Sequence, residues 1–451
     1  MAPPRSSDSK HEGSPIAALS LVDAIAIIVG LVIGAGIFRL PSLVAAHSSS
    51  EWAFFAVWIV GGIVSLIGAL CYAELATAYP NTGGDYYFLQ RAFGRSMSFL
   101  FAWARIAVIT TGSIAVLGYT FGDYASNLYD LGESSSALYA AFSILALTGI
   151  NLWGIRSTRS TQNLLTALEV LGLTAVIVTG LILIAPTPAQ APVAESQTSL
   201  AALPMAMLFV LFTYGGWNEG AYISAEMKHK GNIVRALVLS LILVTTLYLL
   251  MNFAYVRALG LAGVAGSETV AADVLGLHFG EAGSKFISLV IAISALTSIN
   301  ATIVVGARSN YALGRDWHMF RWLGHWHAEA DAPRNALYVQ GGVSLALIIA
   351  GAYGGKIETM VNYTMPVFWF FFLMVGIGLF VLRHKDPNTP RPFKVPLYPL
   401  TPMIFVLTSG YLLYSSLAYV RSGAQIGALV LAVGLLLLML DRRLRRLQPA
   451  Q

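Results

Sequence analysis

The sequence predicts an all-α integral membrane protein of about 12 transmembrane helices, built as a five-plus-five inverted repeat in which helices 1 and 6 are broken. Three observations carry this. The 451-residue chain is 57% hydrophobic and only 11% charged, where a soluble domain carries about 25% charged residues, and its mean hydropathy is +0.70. Apolar runs of about 20 residues, the length that crosses a bilayer, recur from end to end. Two of these runs are interrupted by glycine at corresponding places. One break is Ile33-Gly34-Ala35-Gly36-Ile37-Phe38, within the run Ile16–Val44; the other is Thr213-Tyr214-Gly215-Gly216, within Leu200–Ala225.

Taken in order, residues 1–15 are Pro- and Ser-rich and predict a disordered terminus. No apolar region followed by a small-residue cleavage site is present there, so a cleaved signal peptide is not expected. The spans fall at roughly 17–45, 52–78, 97–125, 136–154, 162–186, 201–225, 233–257, 284–311, 335–353, 358–383, 399–420 and 423–440. They make one transmembrane domain over 16–441, with repeats at about 16–190 and 200–385, added helices at 399–440 and a basic tail at 442–451. An odd number of helices per block inserts the second block upside down.

Lysine and arginine set the orientation. With the N-terminus in the cytoplasm, 21 of the 27 basic residues fall on the cytoplasmic side and four on the other. Arg39 and Arg105 sit inside spans. This N-in, C-in arrangement accounts for the net charge of +5 without a nucleic-acid partner. The single cysteine, Cys71, lies in an apolar run and reads as a packing residue; it permits no internal disulfide.

The two breaks have a chemical meaning. Non-helical backbone at membrane depth is tolerated only beside a protein-lined or wet cavity. A broken helix bares amide N–H groups at the start of one half and carbonyls at the end of the other. The first attract a carboxylate and the second an ammonium. An α-amino acid carries both on one carbon, and glycine lets it approach the backbone. Glycines also serve close helix packing, but two interruptions in register favour a substrate site.

The residues then resemble a family. Val29–Pro41 (VGLVIGAGIFRLP) resembles helix 1 of the amino acid–polyamine–organocation superfamily, and Phe212–Asn218 (FTYGGWN) is similar to helix 6 of its L-type amino-acid exchangers. Cys71–Gly94, Arg308–Asp316 and Arg391–Leu400 resemble further segments of these light subunits, in family order, and bacterial relatives of the exchangers look nearest. The resemblance implies that Ile33, Gly34, Ala35, Gly36 and Ile37 surround the substrate carboxylate. It implies that carbonyls near Phe212, Thr213 and Gly215 take the amine, with Tyr214 among the substrate-binding residues, that Phe212 gates the ligand and that Asn218 supports the unwound segment. Where relatives that take basic substrates carry an acid after the helix-6 tyrosine, this chain has Gly215, which favours neutral amino acids.

Two intramembrane charges stand out. Glu169 lies ten residues past Arg159, about 15 Å along helix 5, and Arg105 sits at a comparable depth on helix 3. Buried ionisable groups in membranes are functional candidates. L-type relatives resemble the reverse arrangement, an acid on helix 3 and a lysine on helix 5, so an Arg105–Glu169 pair with exchanged charges is expected. If Glu169 is instead free in one state it carries a proton or joins a sodium site, with Ser294 and Ser298 of helix 8 as further candidates. Asp23, Glu74 and Glu226 read as solvated helix ends, with Glu226–Arg308 as an alternative inner gate. The histidines show no metal-ligand spacing, and no cofactor is expected.

The expected function is secondary active transport of neutral L-amino acids by alternating access, as an exchanger or cation-independent carrier. The alternatives are a proton- or sodium-coupled symporter using Glu169, and an amino-acid sensor of the same fold. A channel would want ringed polar pore residues. An intramembrane enzyme would want a nucleophile–base pair, and none stands out. Expected partners are the lipid bilayer and a small neutral amino acid. The loop Ser126–Ser136, where light subunits bond covalently to a heavy chain, has no cysteine, so no disulfide-linked heavy chain is expected. A bacterial inner-membrane location follows from the resemblance.

Overall fold

A computed structural model describes residues 20–34, 36–81, 83–153, 170–184, 203–229, 231–327, 332–354, 357–419 and 421–447. The expected disordered terminus 1–15, Ala35 and Glu169 lie outside these residues.

The first span is split. Helix α1 (Leu21–Val32) starts at a capping box, in which the Ser20 hydroxyl accepts from the Asp23 amide while the Asp23 carboxylate accepts from the Ser20 amide. It stops at Val32, and α2 (Gly36–Ala46) leaves at an angle of 48°. Helix α3 (Glu51–Ala78), capped by Ser50, recrosses, and short α4 (Asp85–Phe93) follows it. The third span joins α5 (Arg95–Ala104) to α6 (Thr110–Leu128) through a wide π turn, Arg105–Ile109. Helices α7 (Ser135–Leu152) and α8 (Val170–Leu183) follow.

The sixth span is split as well. Helix α9 (Leu203–Thr213) ends at the turn Tyr214–Gly216, and the chain resumes as a 3-10 helix, Trp217–Glu226. Beyond it come α10 (Asn232–Gly266), α11 (Val270–Asp316), α12 (Arg334–Gly354), α13 (Ile357–Lys385), α14 (Leu400–Tyr419) and α15 (Arg421–Leu447). α10 and α11 kink at Gly260 (φ +68°) and Gly280 (φ +64°), a backbone region costly for other residues. The seventh and eighth spans therefore end and begin at these glycines. α15 continues to Leu447, into the stretch expected as a tail.

Among the described residues, eight helices are long and apolar enough to cross a bilayer, nine with the bent first pair. The shorter apolar helices Val170–Leu183 and Gly427–Asp441 and the split sixth span occupy the remaining expected places. The packing exchanges the two blocks. Both halves of the first span lie on α10, the seventh span, while both halves of the sixth lie on α3, the second. The third span packs on the eighth and the fourth on the ninth. Cys71 is buried within α3.

Candidate functional site

The breaks meet. Gly216 has φ +104°, and a Cβ built on it would stand 2.4 Å from the Leu31 carbonyl oxygen, so the turn of the sixth span lies directly against the end of α1. A Cβ on Gly36 would stand 3.8 Å from the Thr213 side chain. One side chain ties both ends together. The Tyr248 hydroxyl on α10 lies 2.8 Å from the Val32 carbonyl and 3.2 Å from the Thr213 carbonyl, donating to the last carbonyls of α1 and α9. Helix ends leave such carbonyls without partners in the helix. Tyr255 serves α2 similarly: Pro41 has no N–H for the Ile37 carbonyl, and the Tyr255 hydroxyl donates there at 3.5 Å.

A cavity of about 240 Å³ opens at this junction. Gly34, Gly36, Phe212, Thr213, Gly215 and Asn218 line it, as the sequence expects of substrate-binding residues. The amides of Gly36 and Ile37 open α2 and have no partner within that helix. Ile33 is different: its amide donates to the Val29 carbonyl at 2.7 Å, closing α1, and its side chain is buried. Tyr214 faces away from the cavity. Its hydroxyl donates to the Trp58 carbonyl at 3.2 Å, and its ring packs with Trp58 and Tyr248. It anchors the break rather than touching the cavity. Phe212 is half-buried and lines the cavity. Trp217 stacks on Phe372 with rings 5.5 Å apart, closing the wall beside Tyr72.

The structure places a carboxylate on Arg105 that the sequence reading did not name. Arg105 opens the π turn and lines the cavity, and its Nη2 lies 3.0 Å from Glu219 Oε1. The carboxylate described on it thus comes from the broken sixth span; Glu169, the expected partner, lies outside the described residues. Sequence reading missed Glu219, although a carboxylate inside the apolar run 201–225 was the available signal. The π turn is itself braced, because the Tyr363 hydroxyl donates to the Ala107 carbonyl at 2.8 Å. Tyr363 is thereby turned to the backbone, while Ile109 and Thr364 line the cavity. Ser294 and Ser298 do not line it, and the buried Ser294 hydroxyl has no hydrogen-bond partner among the described residues.

Asn218 ties the unwound segment to α4, its amide donating to Asp85 Oδ2 at 3.3 Å. Asp85 is buried at the start of α4, and burial raises its carboxyl to about 6 against the opposing pull of Tyr72, Arg105 and Asn218.

Two further ion pairs are buried away from the cavity lining. Arg39 Nε lies 2.9 Å from Asp123 Oδ2, both side chains buried, with Ser42 on the guanidinium and Ser136 on the carboxylate. At the face where α1 begins, Glu74 is fully buried, not solvated as expected. Arg383 grips it with Nε and Nη2, Arg391 stands 3.4 Å away, and the Val395 amide donates to it at 2.7 Å. The Arg391–Leu400 segment is therefore docked onto α3 through one carboxylate. Asp23 stays exposed in its cap. The Glu226 side chain lies outside the described residues.

A bundle of membrane-spanning helices with two broken spans facing one cavity is the architecture of a carrier of small solutes. Comparison with known proteins gives the family. The amino acid permease family matches residues 19–439. The chain is 32% identical over 407 residues to the b(0,+)-type amino acid transporter 1 of Mus musculus, covering 88% of this chain and 81% of the relative. The human protein of that name is 30% identical over 406 residues, covering 87% and 81%. The large neutral amino acids transporter small subunit 2 of Mus musculus is 32% identical over 414 residues, covering 88% and 76%. The chain belongs to the amino acid permease family; it is an integral membrane transporter and not an enzyme.

Proposed function

We propose that this protein carries neutral L-amino acids by alternating access, as an exchanger or cation-independent carrier. The observation that carries the reading is the contact between the two breaks at a cavity of amino-acid size. In this reading the amides of Gly34, Ala35, Gly36 and Ile37 hold the substrate carboxylate. The carbonyls around Phe212, Thr213 and Gly215 hold the amine, and Phe212 covers the ligand. Ile33 and Tyr214 shape the two ends rather than bind. The relative named for large neutral amino acids supports a neutral substrate. The exchanged packing of the two blocks supports inverted repeats at about 16–190 and 200–385. The lysine and arginine distribution supports cytoplasmic termini. A stand-alone carrier in a bacterial inner membrane fits a loop 126–136 without cysteine.

The test is reconstitution of the purified chain into liposomes. Labelled neutral amino acid should enter faster when unlabelled amino acid is preloaded, without dependence on sodium or a pH gradient. Absence of counterflow with retained ligand binding would mark a sensor. Uptake that needs either cation gradient and disappears in Glu169→Gln would mark a symporter.

A further inference from the structure

We propose that the end of α11, the 3-10 segment after it and the end of α15 together form a binding site for the headgroup of one anionic phospholipid. A pocket of about 450 Å³ lies there, lined by Arg315, Asp316, His318 and Arg321 among others. It shares no lining residue with the cavity between the breaks. Its backbone is held closely. A Cβ on Gly314 would stand 2.2 Å from the Gly324 amide nitrogen, so the segment His318–Gly324 folds back directly on α11. The pocket lies at the same end of the bundle as Glu74 and Arg383, because α4 reaches both: the Tyr86 hydroxyl donates to Asp316 at 2.9 Å, and Arg91 pairs with Asp386 at 2.8 Å.

Three distant stretches of chain converge on this pocket. Arg95, at the start of α5, donates to the Asp316 carbonyl at 3.3 Å and lies over the Trp317 ring. Asp441 of α15 accepts from the Met319 amide at 3.4 Å. Arg442, Arg443, Arg445 and Arg446 follow at once, in a helix that runs to Leu447. The carboxylates must be counted too. Asp316 and Asp441 belong to the group, as do Glu329 and Asp331 of the same connection, which lie outside the described residues. Against these four stand eight arginines, the seven named here and Arg334 at the start of α12. The positive excess therefore remains whichever arginine pairs with which carboxylate. Orientation in the membrane explains the sign of these residues, but it does not gather positions 95, 315–321 and 441–446 around one pocket.

The apolar surroundings select a lipid over a soluble phosphate. Leu436, Met439 and Leu440, just before Asp441, are exposed large hydrophobic residues, and so are Trp322 and Trp326 beside the pocket. In a bilayer the first three meet acyl chains, and tryptophans gather at the level of the headgroups. A phospholipid offers both chemistries in register: chains along α15, and a phosphate at the height where its arginines begin. Guanidinium suits that phosphate, because its N–H groups donate to two oxygens in parallel.

The test is native mass spectrometry of the full chain in detergent, titrated with phosphatidylglycerol, with phosphatidylcholine of the same chains, or with inorganic phosphate. The first phosphatidylglycerol should bind about tenfold to thirtyfold more tightly than phosphatidylcholine, the size of two arginine contacts to an anionic headgroup. Arg315→Gln with Arg321→Gln should bring that advantage within about threefold of one. Lys285→Gln should keep it, since this exposed residue lies 30 positions earlier on α11, about 45 Å away along the helix. Equal binding of the two lipids by the unmodified protein overturns the site, whether or not the double variant folds. A folded double variant that keeps the full advantage overturns it as well. Inorganic phosphate that displaces phosphatidylglycerol at equal concentration overturns the lipid assignment in favour of a soluble phosphate.

Discussion

Replacing Gly216 by alanine puts the contact between the two breaks under direct strain. The residue sits at φ +104°, where an L side chain costs about 1–2 kcal/mol. The new methyl would stand 2.4 Å from the Leu31 carbonyl oxygen and 3.0 Å from its carbon. An ordinary carbon–oxygen contact is about 3.3 Å or longer, so the end of α1 and the turn of the sixth span must separate by about 1 Å. Backbone cannot rotate aside as a side chain does. Overpacking of this kind adds about 1–3 kcal/mol, for a total of about 2–5 kcal/mol. Gly34→Ala is the control, because nothing lies within 4 Å of a Cβ there and the methyl enters the cavity instead. Thermal unfolding in detergent, paired with uptake in liposomes, reads both variants. Gly216→Ala should unfold several degrees lower and lose uptake. Gly34→Ala should unfold like the parent and change only the apparent affinity for substrate. A Gly216→Ala protein with parental stability and uptake would refute the contact.

Glu74→Gln should destabilise the protein by about 3–5 kcal/mol, because it strands the guanidinium of Arg383 and loosens Arg391; a lowered unfolding temperature checks it, and unchanged stability would place Glu74 in solvent. Tyr248→Phe removes the hydroxyl shared by the Val32 and Thr213 carbonyls. It should cost about 1–3 kcal/mol and slow uptake, as measured by initial rates. Asp85→Asn should reveal a pH dependence with a fixed sign. The folded carboxyl lies at about 6, above its ordinary 3.8, so the folded state binds the proton more tightly than the unfolded chain. The ionised carboxyl therefore costs stability progressively as pH rises from about 4 to about 6. The asparagine variant should be the more stable of the two above pH 6, with the gap closing towards pH 4. A gap that widens on acidification would show the opposite shift.

The places of the spans and of both breaks were legible in the sequence, because lipid gives unpaired backbone no solvent and glycine interruptions at corresponding places of two apolar runs point to opened backbone. Gly34, Gly36, Phe212 and Asn218 follow from that logic and do line one cavity. Tyr214 shows its limit: adjacent to Gly215 in sequence, it points into the packing of α3 and α10, since neighbouring residues of a turn face different ways. The charges were harder. Arg105 and Glu219 are 114 residues apart, and Glu74 and Arg383 are 309 apart. Nothing local marks such partners, because an ion pair depends on where side chains converge and not on spacing along the chain.

The chain's own composition therefore determined its solvent and the two points where its backbone opens, each a consequence of local hydrogen-bonding demand. The tertiary structure alone decided that the openings touch, that Glu219 lies against Arg105, and that Glu74 is enclosed by two arginines. Those outcomes are set by the packing of helices distant in sequence, which fixes the distances on which electrostatic and steric energies depend.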